Sequence, residues 1–190
     1  MKLGIMLSGT GSTYSAIDQA IQDGQIKAEI AHVISSKPNA KGLVYAKKQG
    51  HNNTVIDPKD PDHHDLINEL WKKEQPDLIV MAGYMHLWNL APEFECKVIN
   101  IHPSLIPAFS GKGMYGMNVH RAAIEKGVKF SGCTVHLVDS KYDHGCILDQ
   151  RCVPVESTDT AATLAAKIGP IEKSLLIQVI ASWGSFQHEK

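Results

Sequence analysis

The chain has 190 residues, 43% of them hydrophobic and 21% charged, a composition ordinary for one globular domain able to bury roughly 70% of its unfolded surface. Nineteen Lys and Arg against 20 Asp and Glu leave a formal net charge of -1, and the signs are interspersed, so neither a nucleic-acid-binding nor a membrane-surface field is expected. No stretch approaches 18 apolar residues, and the opening "MKLGIMLSGTG" is too short to read as a secretory leader. Four cysteines, Cys96, Cys133, Cys146 and Cys152, show no CxxC spacing; reduced thiols in the cytoplasm are expected.

In chain order, short β-rich runs alternate with helical patterns. Strands are predicted at residues 2–7, 28–34, 53–56, 78–82 and 97–101, with helices at 14–22, 42–49 and 64–74 between them. Gly24 and Gly50 fall where helix C-terminal caps belong. Strand, helix, strand in succession predicts right-handed crossovers and a parallel sheet covered on both faces. After Pro107 the rhythm changes: a glycine-rich loop at 111–116, a helix at 117–126, two longer strands at 133–138 and 146–155, and a final helix from about 159 to 183, predicted to break near Gly169-Pro170. With no repeat or linker, the expectation is a single domain over 1–190.

Between the first strand and helix, "SGTGST" joins flexible glycines to a helix start, where free N–H groups favour an anion. Ser12 or Thr13 is placed to cap that helix or to bond a phosphate oxygen. Tyr14 occupies the third glycine position of a dinucleotide fingerprint, and the second strand ends "VISSKPN" without an acid for a ribose diol. A small phosphorylated substrate therefore suits the loop better than NAD; a plain capped turn is the alternative.

The stretch "KVINIHPSLIP" spends the end of a core strand on an amide and an imidazole. Asn100 and His102 alternate onto one face at the carboxyl edge, where α/β proteins bind ligands, and Pro103 and Pro107 stiffen the exit. A donor pair of this kind suits the oxyanion of acyl transfer; a satisfied polar pair is the alternative. In "GCTVHLVDSKYDHGCI", His136 and Asp139 sit near a strand end and Asp143 in a turn, where a carboxylate can hold an imidazolium or relay a proton through water, or simply close an Asx-turn in solvent.

The histidines, including His63-His64 and His144, show no HExxH or paired-Cys spacing, so no metal is expected. Cys146 near His144 is the only candidate nucleophilic thiol. Lys112 lacks P-loop spacing and is read instead as part of a flap over the site. Trp71, Trp88 and Trp183 are read as packing residues.

Together, "SGTGS", "MAGYM" at 81–85, "NIHPSLIP" at 100–107 and "TVHLVD" with a downstream D-x-G resemble the phosphoribosylglycinamide formyltransferases, within the folate-dependent formyltransferase superfamily. The likeness runs from about residue 2 to 183. It implies an α/β, Rossmann-like formyltransferase fold: a mainly parallel central sheet, helices on both faces and antiparallel C-terminal strands. Residues 1–101 would form a phosphate-binding half, and 102–190 a folate and catalytic half with the C-terminal helix. The resemblance places Asn100, His102 and Asp143 on a catalytic triad, and Gly11, Ser12, Thr13 and the adjoining Tyr14 at the substrate phosphate. Glu172 falls near the glycinamide, and Met85, His86, Leu87, Trp88, Asn100, Asp139, Ser140, Lys141, Tyr142 and Asp143 at the folate. It implies 10-formyltetrahydrofolate as co-substrate, small-molecule partners alone, and a monomer or homodimer. The chain departs from the family at Thr10 and Thr13, where Asn is frequent, at His63 and His86, where basic residues are usual, at Trp88, at Cys146, and in "EKSLLI" after Glu172. A sister enzyme formylating another amine or hydrolysing formyl-folate, and a non-catalytic phosphate-ligand binder, are the alternatives.

Overall fold

The computed structural model describes residues 1–186. Its elements are β1 (Lys2–Leu7), α1 (Ser12–Gln22), β2 (Glu29–Ser35), α2 (Lys41–Gln49), β3 (Asn53–Val55), α3 (His63–Glu74), β4 (Leu78–Met81), β5 (Val98–His102), α4 (Met117–Lys126), β6 (Phe130–Leu137), β7 (Ile147–Pro154), α5 (Ala161–Ala181) and α6 (Trp183–Phe186). The seven strands are ordered β3-β2-β1-β4-β5-β6-β7. The β1–β2, β1–β4, β2–β3 and β4–β5 pairs are parallel, and β6–β7 is antiparallel. This is the mainly parallel sheet with antiparallel C-terminal strands that the sequence predicts.

The chain divides into two compact units, Met1–Asn100 and Ile101–Lys190. In the first, β1 is buried from Leu3 to Leu7, as expected of a strand covered on both faces. Gly4 and Leu7 differ by three positions and so point to opposite faces. A Cβ on Gly4 would meet the Trp71 ring of α3 at 2.8 Å, whereas Leu7 lies against Gly42 of α2. Helices therefore cover both faces of this unit. Gly50 caps α2 in the left-handed conformation; for α1 the cap is Asp23, with left-handed Gly24 just beyond.

In the second unit α5 packs on β6, β7 and α4. The predicted break at Gly169-Pro170 does not occur: α5 runs unbroken through Pro170. Proline removes one N–H from the helix ladder, but Leu164 and Ile168 before it and Leu175, Leu176, Val179 and Ile180 after it are all buried. Packing of both halves outweighs the lost bond. All three tryptophans are buried.

Candidate active site

In the first unit, β1 is followed by Ser8, a buried residue that ties three segments together. Its Oγ accepts the Ser36 hydroxyl (2.7 Å) and the Met85 N–H (3.1 Å), while its own N–H donates to Gly83 O (3.0 Å). The glycine loop that follows adopts φ +73° at Gly11, the N-cap of α1, and a Cβ there would collide with the Gly42 backbone. Only glycine fits. This corrects the predicted cap: no side chain caps α1, and Ser12 and Thr13 are its first helical residues. The first-turn N–H groups, those of Ser12, Thr13 and Tyr14, thus lack an intrahelical partner, as at every helix start. The Tyr14 side chain is fully buried, with its hydroxyl hydrogen-bonded to His51 Nδ1.

Of the 85–88 segment, Met85 is exposed and Trp88 is fully buried, its indole N–H donating to Asn68 Oδ1 (3.0 Å). Trp88 is committed to packing against Phe94. His86 meets Tyr84 edge-on, and burial, followed by the charges of Lys37 and His63, lowers its pKa.

Strand β5 carries both polar residues. Asn100 is half-buried, in register with Met81 of β4, and His102 is 3% exposed. His102 Nε2 lies 2.9 Å from the carbonyl oxygen of Phe109. A carbonyl only accepts, so Nε2 carries a proton, and Nδ1 is the ring's other nitrogen. It faces Asp143 Oδ2 at 3.5 Å. Asp143 sits in a turn at φ 52°; its Oδ2 also accepts the Gly111 N–H (2.9 Å), and His136 Nε2 stands 3.7 Å from Oδ1. Burial alone would raise the carboxyl pKa, but the hydrogen bond from His136, the charge of His102 and the Gly111 amide outweigh it and hold Asp143 below the usual range. Burial pushes His102 down, against the opposing pull of Asp143 and Phe109.

The turn between β5 and Phe109 is held from behind. Thr134 Oγ1 donates to Ser104 O (2.7 Å) and accepts from Ile106 N–H (3.1 Å), and Gln150 Nε2 reaches both Thr134 Oγ1 (2.8 Å) and Ile106 O (3.2 Å). Gly111, Gly113 and Gly116 all take positive φ in the following loop, where Met114 N–H closes on Gly111 O (3.0 Å).

Elsewhere in this unit, Asp139 binds exposed His144 (2.6 Å) and the Lys141 N–H (2.8 Å), so Asp139 and Asp143 do different work. Ser140, Lys141 and Tyr142 are exposed. Glu172 lies on α5 beside Cys133, and burial raises it to about 7. Among the described residues no group of three or more His, Cys, Asp or Glu is arranged to hold a metal. The Phe109 carbonyl and Gly111 amide are main-chain groups that residue identity does not advertise; the prolines and glycines of 103–116 signalled only a structured turn.

The fold is of the α/β class, with an imidazole facing a carboxylate held below its usual range in the second unit and a glycine loop opening a helix in the first. The formyl transferase family model matches residues 1–180, and the chain belongs to that family. It is 40% identical over 187 residues to the chloroplastic phosphoribosylglycinamide formyltransferase of Vigna unguiculata, covering 94% of this chain and 59% of that protein; the chain thus spans less than two thirds of that relative's length. The phosphoribosylglycinamide formyltransferase of Brucella melitensis is 38% identical with a TM-score of 0.85, over 96% of this chain and 94% of that one. Glycinamide ribonucleotide transformylase 1 of Symbiobacterium toebii is 33% identical with a TM-score of 0.87, over 97% and 88%.

Proposed function

We propose that the protein transfers a formyl group from 10-formyltetrahydrofolate to the primary amine of 5′-phosphoribosylglycinamide, a step of purine biosynthesis, in the cytoplasm. The observation that carries this reading is the His102–Asp143 pair, with Nε2 spoken for by Phe109 and Nδ1 presented to an ionised carboxylate.

The amine nitrogen attacks the formyl carbon, and the carbonyl oxygen becomes an oxyanion. The Asn100 amide and the His102 imidazole, two residues apart on one face of β5, supply the donors for that charge; one such donor is typically worth about 3–4 kcal/mol. The amine proton passes to His102 Nδ1; Asp143 compensates the imidazolium so formed, whose Nδ1–H faces the oxyanion, and the same proton then goes to the departing folate nitrogen. The carbon–nitrogen bond to folate then breaks, leaving the formylated glycinamide and tetrahydrofolate. No covalent enzyme intermediate is needed. The α1 first turn would hold the 5′-phosphate through its N–H groups and the hydroxyls of Ser12 and Thr13. Glu172 would meet the glycinamide end, while the Met85–Leu87 backbone and the 139–143 turn would contact the folate.

The test is formyl transfer measured with glycinamide ribonucleotide and 10-formyltetrahydrofolate. Turnover supports the assignment. Binding without turnover points to a non-catalytic relative, and turnover with only a different amine points to a sister enzyme; either result overturns it.

A further inference from the structure

Following the glycine loop is a chain of polar groups, centred on buried Tyr14 and Asp18, for which the formyl transfer step has no use. Tyr14, in the first turn of α1, is fully buried. Its phenol is pushed far up by burial and then by the charge of Asp18, so it stays an O–H, and it is hydrogen-bonded to His51 Nδ1. The other ring nitrogen, Nε2, faces Asp18 Oδ1 at 3.7 Å. Asp18, 3% exposed and one turn along α1 from Tyr14, also accepts at Oδ2 from the Tyr45 hydroxyl (2.8 Å) and from Gln22 Nε2 (3.0 Å). Tyr14 and Tyr45 meet edge to face with centroids 5.3 Å apart.

The network thus begins and ends on α1, and His51, just past the end of α2, is the strap across it. The same α2 grips the loop at its other end: Gly42 N–H donates to Gly9 O (3.2 Å), and Gly42 leaves no space above Gly11. Gly42 and Tyr45 on α2, with His51 beyond it, therefore fix where the start of α1 stands. Helix-start amides hold an anion through charge-assisted bonds of about 2.7–2.9 Å, so a shift well under 1 Å along the axis would weaken them.

We propose that His51 and Tyr14 are positioning residues that hold the first turn of α1 at the distance the substrate phosphate requires, setting phosphate affinity rather than the rate of formyl transfer. The inference rests on the assignment of the phosphate to this loop, and its test separates the two.

KM and kcat are measured with glycinamide ribonucleotide and with the nucleoside lacking its 5′-phosphate, for the wild type, His51→Ala, His51→Gln and Tyr14→Phe. His51→Ala is expected to raise KM for the phosphorylated amine roughly 3- to 30-fold, with kcat held and KM for the nucleoside unchanged. Tyr14→Phe should give the same KM shift, and His51→Gln, which keeps an acceptor and a donor, should recover most of the loss. A wild type that does not discriminate between the two amines removes the phosphate assignment and the inference with it. A wild type that discriminates, alongside variants that discriminate equally well, removes the inference alone, as does an equal KM rise for both amines. Should one variant fail to fold, the same ratio measured on the other decides.

Discussion

At the scale of single residues, the case turns on which imidazole nitrogen is free. Because Nε2 of His102 is spent on Phe109 O, removing the ring removes both the anchored orientation and the reactive Nδ1. His102→Ala is expected to lower kcat by about 100-fold or more with KM for either substrate changed far less; wild-type turnover in that variant would contradict the role. Glu172 offers a prediction of opposite kind. Its pKa is raised by burial to about 7, above its value in an unfolded chain, so its contribution to stability is present at low pH and is lost as pH rises from about 4.3 through 7. Glu172→Gln should therefore raise Tm at pH 8 and change it little at pH 5; equal effects at both would show that Glu172 ionises normally. At this scale, Asn100 and His102 could be read from the sequence as polar residues closing an apolar strand. The partnership of His102 with Asp143 could not. Forty residues of loop, helix and strand intervene, and spacing carries no information about contacts that a fold creates; the family resemblance supplied the pairing.

At the scale of elements, the glycine loop and α2 form one packed joint. A Cβ on Gly42 would lie 2.7 Å from Leu7 Cδ2 and 2.9 Å from Gly11 Cα, one contact with a side chain and one with backbone. Gly42→Ala should cost roughly 1–3 kcal/mol of stability, read from denaturant midpoints, and raise KM for the phosphorylated amine; an unchanged midpoint would show that the loop yields freely. Pro170 gives the converse. It is exposed in the interior of α5, so Pro170→Ala should stabilise by roughly 1–3 kcal/mol, with loss of stability as the contrary result. The helix and strand bounds were legible to within a few residues because hydrophobic period and glycine placement report local structure directly. The continuity of α5 was not, since local propensity says break while burial against β6 and β7 says continue, and only the packed structure shows which prevails. The cap of α1, expected at Ser12 or Thr13, falls instead on Gly11 for a related reason: Gly42 leaves no room for a side chain there, a contact invisible in the glycine run itself.

At the scale of the whole molecule, titration should shape stability from both sides. His32, His102 and His120 are buried, with pKa values lowered by burial. Each resists protonation in the folded state, so stability present above about 6.5 falls as pH drops through that value, and depressed Asp143 adds to the loss below about 3.9. Glu172 acts in the other direction between about 4.3 and 7. In Glu172→Gln, where that opposing contribution is gone, unfolding free energy is expected to be lower at pH 5 than at pH 7; a flat profile between them would mean that these histidines titrate as they do in a random coil. One last consequence belongs to the anchoring of the imidazole. The group that grips His102 is a peptide oxygen, which every amino acid at position 109 would provide. Genetic drift can therefore rewrite the side chain there, among residues that tolerate the left-handed φ of 51° at that position, and leave the ring's orientation intact, whereas a change in the length of the turn would dislodge it. Insertions and deletions between 103 and 109, rather than replacements, are the changes that natural selection should purge.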